Sequence, residues 1–515
     1  MTTLEAPARG RRRNRGAAAP TPGPRNAAFH RLENTLPRAR AFSDDQVAAI
    51  HDTALRVLEE LGIRVLLPEG RARFAAAGAT VDEDSMMVRF DRAMVTEHLA
   101  KAPSSFTFRS RTGALDAPMG SNSLMFSPGG GCPNVTDRVR GRRPGDLQTF
   151  EEVTKLADGF GVIHKLSPSV EPQDVPVEFR HYATMRAQLT LSDKLPFVYA
   201  RSSGQTRDTF AMIRLIHGLD EEEFAAEPRT QTVINTNSPR QLDRPMTQGI
   251  IDFAEAGQVS IITPFCLAGA MAPITMAGAL TLSHAEAVAG VVLSQIVRPG
   301  VPVIYGAFCS NVDMKSGAPA FGTPEHIQAN FGAGQLARHI GLPWRSAAGT
   351  ASCAADAQGA GETQAALWGC LLAGANVIMH AAGWLEGGLV FGHEKFIADV
   401  ETLETVAAAL QSPGAGPEEI GFDAIAEVEP GGHFFAASHT MERYATAFAE
   451  PLVGTRANFG QWTEAGRPET AERATAIWQR AVAEHVPPAI DPARIDALDA
   501  FIAKRRAEGG ARPMD

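Results

Sequence analysis

Residues 301–349 carry VPVIYGAF (301–308), TPEHIQANFGAGQLARHIG (323–341) and PWRSAAG (343–349) in succession. The outer two runs are short and mostly apolar without polar alternation, the pattern of strands covered on both faces. The middle run has helical spacing. A strand, a covering helix and a second strand make one unit of a parallel sheet.

The same unit recurs on both sides. Strand-like runs are SLMFS (123–127), VIHKLS (162–167), PFVYARS (196–202), TVINTN (232–237), VSIITPF (259–265) and NVIMHAA (376–382), with helical patterns between them. With the two runs above, the total is eight. Eight alternating units predict an α/β fold of the (β/α)8 TIM-barrel type. A doubly wound open sheet is the alternative, but no dinucleotide-binding glycine fingerprint accompanies it. The glycine cluster SPGGGCPN (127–134) contains Pro133 and leads into no immediate helix, so it reads as a loop that needs close backbone approach.

Four segments follow. Residues 1–40 are rich in Arg, Pro and Ala and read as a disordered leader. Residues 41–118 form an N-terminal helical cap, opened by a helix that Ser43 caps and Gly62 ends. Residues 119–415 hold the barrel, and 416–515 form a C-terminal helical extension.

The net charge of −10 argues against a nucleic-acid partner. Five widely spaced cysteines without a CxxC fit reduced thiols and a cytoplasmic location. Val259 to Ser283 is uncharged, yet Pro264 and Pro273 interrupt it, so it reads as strand, loop and helix start and not as a membrane span. No HExxH, G-x-S-x-G or P-loop occurs, and no metal site is expected.

In a barrel the chemistry sits at the C-terminal ends of the strands. Those ends present Phe126, Phe265, Tyr305, Phe308, Arg345 and His380, followed by Trp384 and Glu386 in a glycine-flanked loop. Several of these have plain alternatives. His380 fits a hydrogen-bonded neighbour or a functional group, and Phe265 and Tyr305 fit a core. Arg345 inside an apolar strand needs a partner, either a carboxylate side chain or an anionic ligand. Glu286 near His284 fits a helix-start role or catalysis.

Longer motifs carry a resemblance. APITMAGALTLSHAEAVAGVVLSQIVRPGVPVIYG (272–306), TPEHIQANFGAGQLARHIGLP (323–343), DAQGAGETQAALWGCLLAGANVIMHAAGWLEGGLVFGHEKFIADVE (356–401) and GGHFFAASHT (431–440) resemble the trimethylamine methyltransferase family, in its branch without pyrrolysine. The resemblance implies a TIM barrel that takes a methyl group from a methylated amine and passes it to the cobalt of a separate, small corrinoid-binding protein. A homo-oligomer is also expected. The family's D-x-Q-x-x-x-E element matches Asp356, Gln358 and Glu362, and Ala354 stands where the archaeal enzymes carry pyrrolysine. That departure points away from trimethylamine and towards a quaternary amine, with glycine betaine as lead.

Such a substrate needs an aromatic cage, each ring contributing about 0.5–2 kcal/mol. Phe126, Phe265, Tyr305, Phe308 and Trp384 are the ring candidates, and Arg345 is the carboxylate binder. Glu286, His380 and Glu386 are the candidate catalytic groups, the two carboxylates adding negative field near the ammonium. The corrinoid should belong to a partner, because IMHAAG has Ile378 where the carriers' D-x-H-x-x-G motif has Asp. The alternatives are direct methyl transfer to tetrahydrofolate without cobalt, or a binding protein that senses a methylated amine without turnover.

Overall fold

The computed structural model describes residues 31–514. Most of the Arg-rich leader, residues 1–30, lies outside the described residues.

The fold is mixed α/β. Six strands lie parallel in the spatial order Ser123–Pro128, Val377–Ala382, Trp344–Ala347, Val303–Gly306, Val259–Ile262 and Gln231–Ile234. A short strand, Leu32–Glu33, pairs antiparallel with the first of them. Helices alternate with the strands in the predicted places, among them Met276–Val297, Pro324–His339, Ala357–Ala373 and His393–Ala409. The helix Met276–Val297 is long and apolar enough to cross a membrane, but most of it is packed inside the fold.

Two of the eight expected strands are reduced to single bridges. Lys165 pairs with Leu195, and Phe197 pairs with Gln231, both parallel. Side chains take the ladder's partners there. The Phe126 N–H donates to the His164 ring, and the Gln188 amide occupies both the N–H and the carbonyl of Phe197. The backbone of His164 still donates to Phe126 O at 2.9 Å.

The sheet has two distinct faces, set by the period of two along each strand. Met125, Val259, Ile261, Ile304, Val377, Met379 and Leu195 form one apolar cluster. Phe108 and Met119, from a hairpin of strands Phe106–Phe108 and Ala117–Met119, close that cluster at one end. The opposite face packs against the helices and forms the larger core.

At the N-terminal side, Ser43 caps the helix Asp44–Arg56 in a capping box with Gln46. Its last turn widens into a π-helical segment, Val57–Leu61, and Gly62 ends it at φ 72°. Towards the C-terminus, the helix Thr470–Ala483 packs on His393–Ala409, where Trp478 Nε1 and Thr475 Oγ1 both donate to Glu394. The short helices between residues 417 and 464 bury none of their residues and expose Phe422, Phe435 and Phe459, and Phe448 is exposed on the loop between them.

Candidate functional site

The strand Val377–Ala382 is where the site begins. Its register with Ser123–Pro128 shifts between Ile378 and Ala382, and His380 has φ 55°. A non-glycine residue in that region is strained, and a bulge is the usual way a strand re-aims a side chain. The strain turns the His380 ring onto Trp384, stacked with centroids 4.6 Å apart and planes at 19°. The loop beyond is tied down. Trp384–Leu385 and Val390–Gly392 form an antiparallel pair, and the second strand extends parallel to Asn134–Thr136.

Glycines make the slot for Trp384. A Cβ on Gly349 would stand 2.2 Å from Trp384 Cε3, one on Gly388 2.5 Å from Cζ2, and one on Gly129 3.1 Å from Cδ1. These three glycines come from three different loops; a Cβ on Gly349 or Gly388 would overlap the indole, and one on Gly129 would press against it. Trp384 Nε1 faces the Gly130 carbonyl at 3.4 Å.

The other rings arrive through a small second sheet. Phe265–Ala268 pairs parallel with Phe308–Val312, which sets Phe265 directly opposite Phe308. Their centroids are 5.0 Å apart. Phe308 also lies 5.4 Å from Phe321, 6.1 Å from Trp384 and 5.9 Å from His380. Phe321 meets Trp384 edge-on at 5.1 Å. The Arg345 guanidinium sits 5.4 Å from the centre of the Phe308 ring.

Beneath the rings is a layer of donors. Arg345 pairs in register with Val377, and Val377 belongs to the inward apolar cluster, so Arg345 points inward too. Gly306 lies beside it in register, and a Cβ there would stand 2.1 Å from Thr263 Oγ1. Arg345 Nε and Nη1 have no hydrogen-bond partner, and burial pushes its pKa down to about 10, still charged at neutral pH. Gly130 N–H donates to His380 Nδ1 at 3.2 Å. A neutral His380 must then carry its proton on Nε2, and burial beside Arg345 and Lys165 holds its pKa well below the usual histidine range. Arg345 Nη2 approaches that same Nε2 at 3.3 Å. Two donors thus face each other with no acceptor between them.

Five of the predicted residues are brought together: Phe265, Phe308, Arg345, His380 and Trp384. Four are placed elsewhere. Phe126 and Tyr305 alternate with the inward Met125 and Ile304, so both face the helices. Phe126 lies against His164, and the Tyr305 hydroxyl meets His284 Nδ1 at 2.9 Å. Glu286 is buried on the helix Met276–Val297, where it accepts from Thr236, Ser238 and the Arg240 N–H, bracing the segment that contains these three. Burial raises its pKa, and those hydrogen bonds work against the rise. Glu386 lies beyond the slot and pairs with the exposed Arg142 through two contacts of 3.1 Å.

The D-x-Q-x-x-x-E element organises the neighbouring loop. Asp356 caps the helix Ala357–Ala373, and Glu362 accepts from Thr350 and from the Ala351 N–H. Ala354 is exposed on that loop. Sequence reading missed Phe321 and Lys165. Phe321 follows a loop with no periodic signal. Lys165 interrupts an apolar strand in VIHKLS as Arg345 interrupts PWRSAAG, and the same argument would have found it.

Comparison with known proteins places the chain. The family described as Trimethylamine methyltransferase (MTTB) matches residues 8–510. A glycine betaine methyltransferase of Desulfitobacterium hafniense (strain Y51) is 34% identical over 478 residues, covering 92% of this chain and 99% of that one. A trimethylamine methyltransferase, MttB, of Desulfitobacterium hafniense (strain DSM 10664 / DCB-2) is 27% identical over 435 residues, covering 84% and 87%. The solved monomethylamine methyltransferase (MtmB) of Methanosarcina barkeri aligns over 90% of this chain and 96% of that one, at 11% identity and a TM-score of 0.45.

Proposed function

The chain belongs to the trimethylamine methyltransferase family, and we propose that it removes a methyl group from a quaternary amine, with glycine betaine as lead substrate, and delivers it to the cobalt of a separate corrinoid protein. The observation that carries this reading is the ring cluster of Phe265, Phe308, Phe321 and Trp384 beside the unpaired Arg345. Ring faces attract a cation by about 0.5–2 kcal/mol each, more where water is excluded. A guanidinium suits the carboxylate at the other end of a betaine.

The chemistry asks little of the protein beyond placement. A quaternary ammonium needs no activation, because its leaving group is a neutral amine. The reduced corrinoid supplies the nucleophile for the methyl carbon, and the C–N electron pair stays with nitrogen, giving dimethylglycine from glycine betaine. No proton has to move, so a His380 held neutral serves as a hydrogen-bond donor and not as a base. The rings exclude water and fix the ammonium in line with an acceptor approaching from outside.

On this reading the parallel strands, continued through the bridges at Lys165–Leu195 and Phe197–Gln231, close into an eight-stranded barrel. The barrel occupies residues 119–415, between a cap at 41–118 and an extension at 416–515, and the corrinoid protein docks over its mouth.

The test is methylation of cob(I)alamin by the purified chain, followed by the cobalamin absorbance spectrum across glycine betaine, carnitine and the methylamines. Turnover with betaines and none with tertiary or secondary methylamines is expected. Activity with trimethylamine alone, or methylation of tetrahydrofolate with no corrinoid present, defeats the proposal.

A further inference from the structure

Three buried lysines stand out among the described residues, and the fold treats one of them differently. Lys194 Nζ donates to the carbonyls of Ala157 and Phe160 at 2.6 and 2.8 Å. Lys395 Nζ pairs with Asp399 and bonds Thr363 Oγ1 at 3.0 Å. Lys165 Nζ is fully buried and has no partner.

Its direction is fixed by register. Lys165 bridges to Leu195, and Leu195 belongs to the inward cluster that holds Val377, the neighbour of Arg345. Lys165 therefore shares the interior with Arg345. Arg345 is close enough to Lys165 to lower its pKa further, beyond the lowering by burial, and no Asp or Glu contributes to the surroundings of either. Uncharged groups around them are equally unsatisfied. Ser127 Oγ lacks a partner and lies two residues beyond the inward Met125, while the unpartnered Gln231 amide is in register with the inward Val259. The interior therefore collects two basic side chains, the Nε2–H of His380, an amide and a hydroxyl, without a carboxylate to receive them. A buried unpaired cation costs several kcal/mol, and native folds leave few buried polar groups unmade. An anion completes this set.

We infer that Lys165, together with Arg345, binds the substrate's carboxylate, and that this pair makes the enzyme select zwitterionic quaternary amines over quaternary amines without an acid group. The inference rests on the quaternary-amine reading and adds the specificity-determining residue to it.

Calorimetric titration of the purified full chain without corrinoid tests it. Three probes separate the two ends of the ligand: glycine betaine, choline, which lacks the carboxylate, and 3,3-dimethylbutanoate, which keeps the carboxylate but lacks the ammonium. Lys165→Met should weaken glycine betaine and 3,3-dimethylbutanoate by at least about 30-fold, as loss of a charge-assisted contact predicts, and leave choline within about twofold. Lys165→Met should also melt at or above the wild type, since a buried amino group without a partner has been replaced by an apolar chain of similar length. Unchanged glycine betaine affinity in Lys165→Met overturns the inference while the functional reading stands. A variant that melts well below the wild type, or fails to fold, overturns it as well, because the lysine then serves the fold. If the wild type binds neither trimethylammonium probe, the functional reading falls. In that case the anion site survives only on Lys165-dependent binding of 3,3-dimethylbutanoate.

Discussion

Gly349 and Trp384 are in a contact that admits no side chain on the glycine: a Cβ there would lie 2.2 Å from the indole's Cε3, and Gly349 has φ 126° besides. Gly349→Ala therefore has to push the indole out of its slot. Overpacking of this kind costs about 1–3 kcal/mol, and the positive φ adds to it. The expected outcome is a lower melting temperature together with at least about a tenfold loss in affinity for glycine betaine, since 1.4 kcal/mol is a factor of ten. Calorimetry on the folded variant checks it. Wild-type affinity would mean that the indole does not face the substrate.

Trp384 itself separates ring character from volume. Trp384→Phe keeps an aromatic face between His380 and Phe321, while Trp384→Ala removes it. The alanine variant leaves a cavity and loses about 3–5 kcal/mol of stability. Among protein that remains folded, its affinity for the quaternary ammonium should fall about 10- to 100-fold, against a few-fold for phenylalanine. Equal losses in the two variants would remove the cage from the account.

The sequence made the helices and six of the strands legible, because long apolar periodicity survives without knowledge of partners. It could not show that His164 and Gln188 take over ladder hydrogen bonds, which reduces two strands to single bridges. The site was readable in part. Phe308, His380 and Trp384 stand next to turns or glycines at strand ends, so their place was foreseeable. Phe126 and Tyr305 stand equally near those ends, although the two-residue period turns both towards the helices. Which of two alternating residues faces inward depends on register with neighbouring strands, and one strand alone does not carry that information.

The two carboxylates divide by their partners. Glu386 is tied to the exposed Arg142, and exposed ion pairs contribute about 0–1 kcal/mol. Glu386→Gln should leave turnover within about twofold. Glu286 is buried and receives three donors, so Glu286→Gln should destabilise by about 1–3 kcal/mol while the rate per folded molecule changes little. Steady-state assays paired with thermal melts decide both. A loss of a hundredfold or more in either folded variant would restore that carboxylate to the chemistry.

His326 supplies the pH prediction. It is fully buried against Phe308 and Phe321, accepts from the Gly322 N–H through Nδ1, and is pushed down by burial to about 4. A free histidine titrates near 6.5. Between those values the unfolded chain binds a proton that the folded chain does not, so stability rises with pH from about 4 to 6.5 and falls as the solution is acidified through that window. His51, pushed to about 4, and His217, pushed to about 3, act in the same direction. The His326 contribution alone is about 3 kcal/mol at 1.36 kcal/mol per pH unit. His326→Gln keeps an acceptor within reach of the Gly322 N–H and removes the titration. Its melting temperature should therefore decline less steeply than the wild type's between pH 6.5 and 4, and parallel curves would show that His326 is not the group that acid protonates.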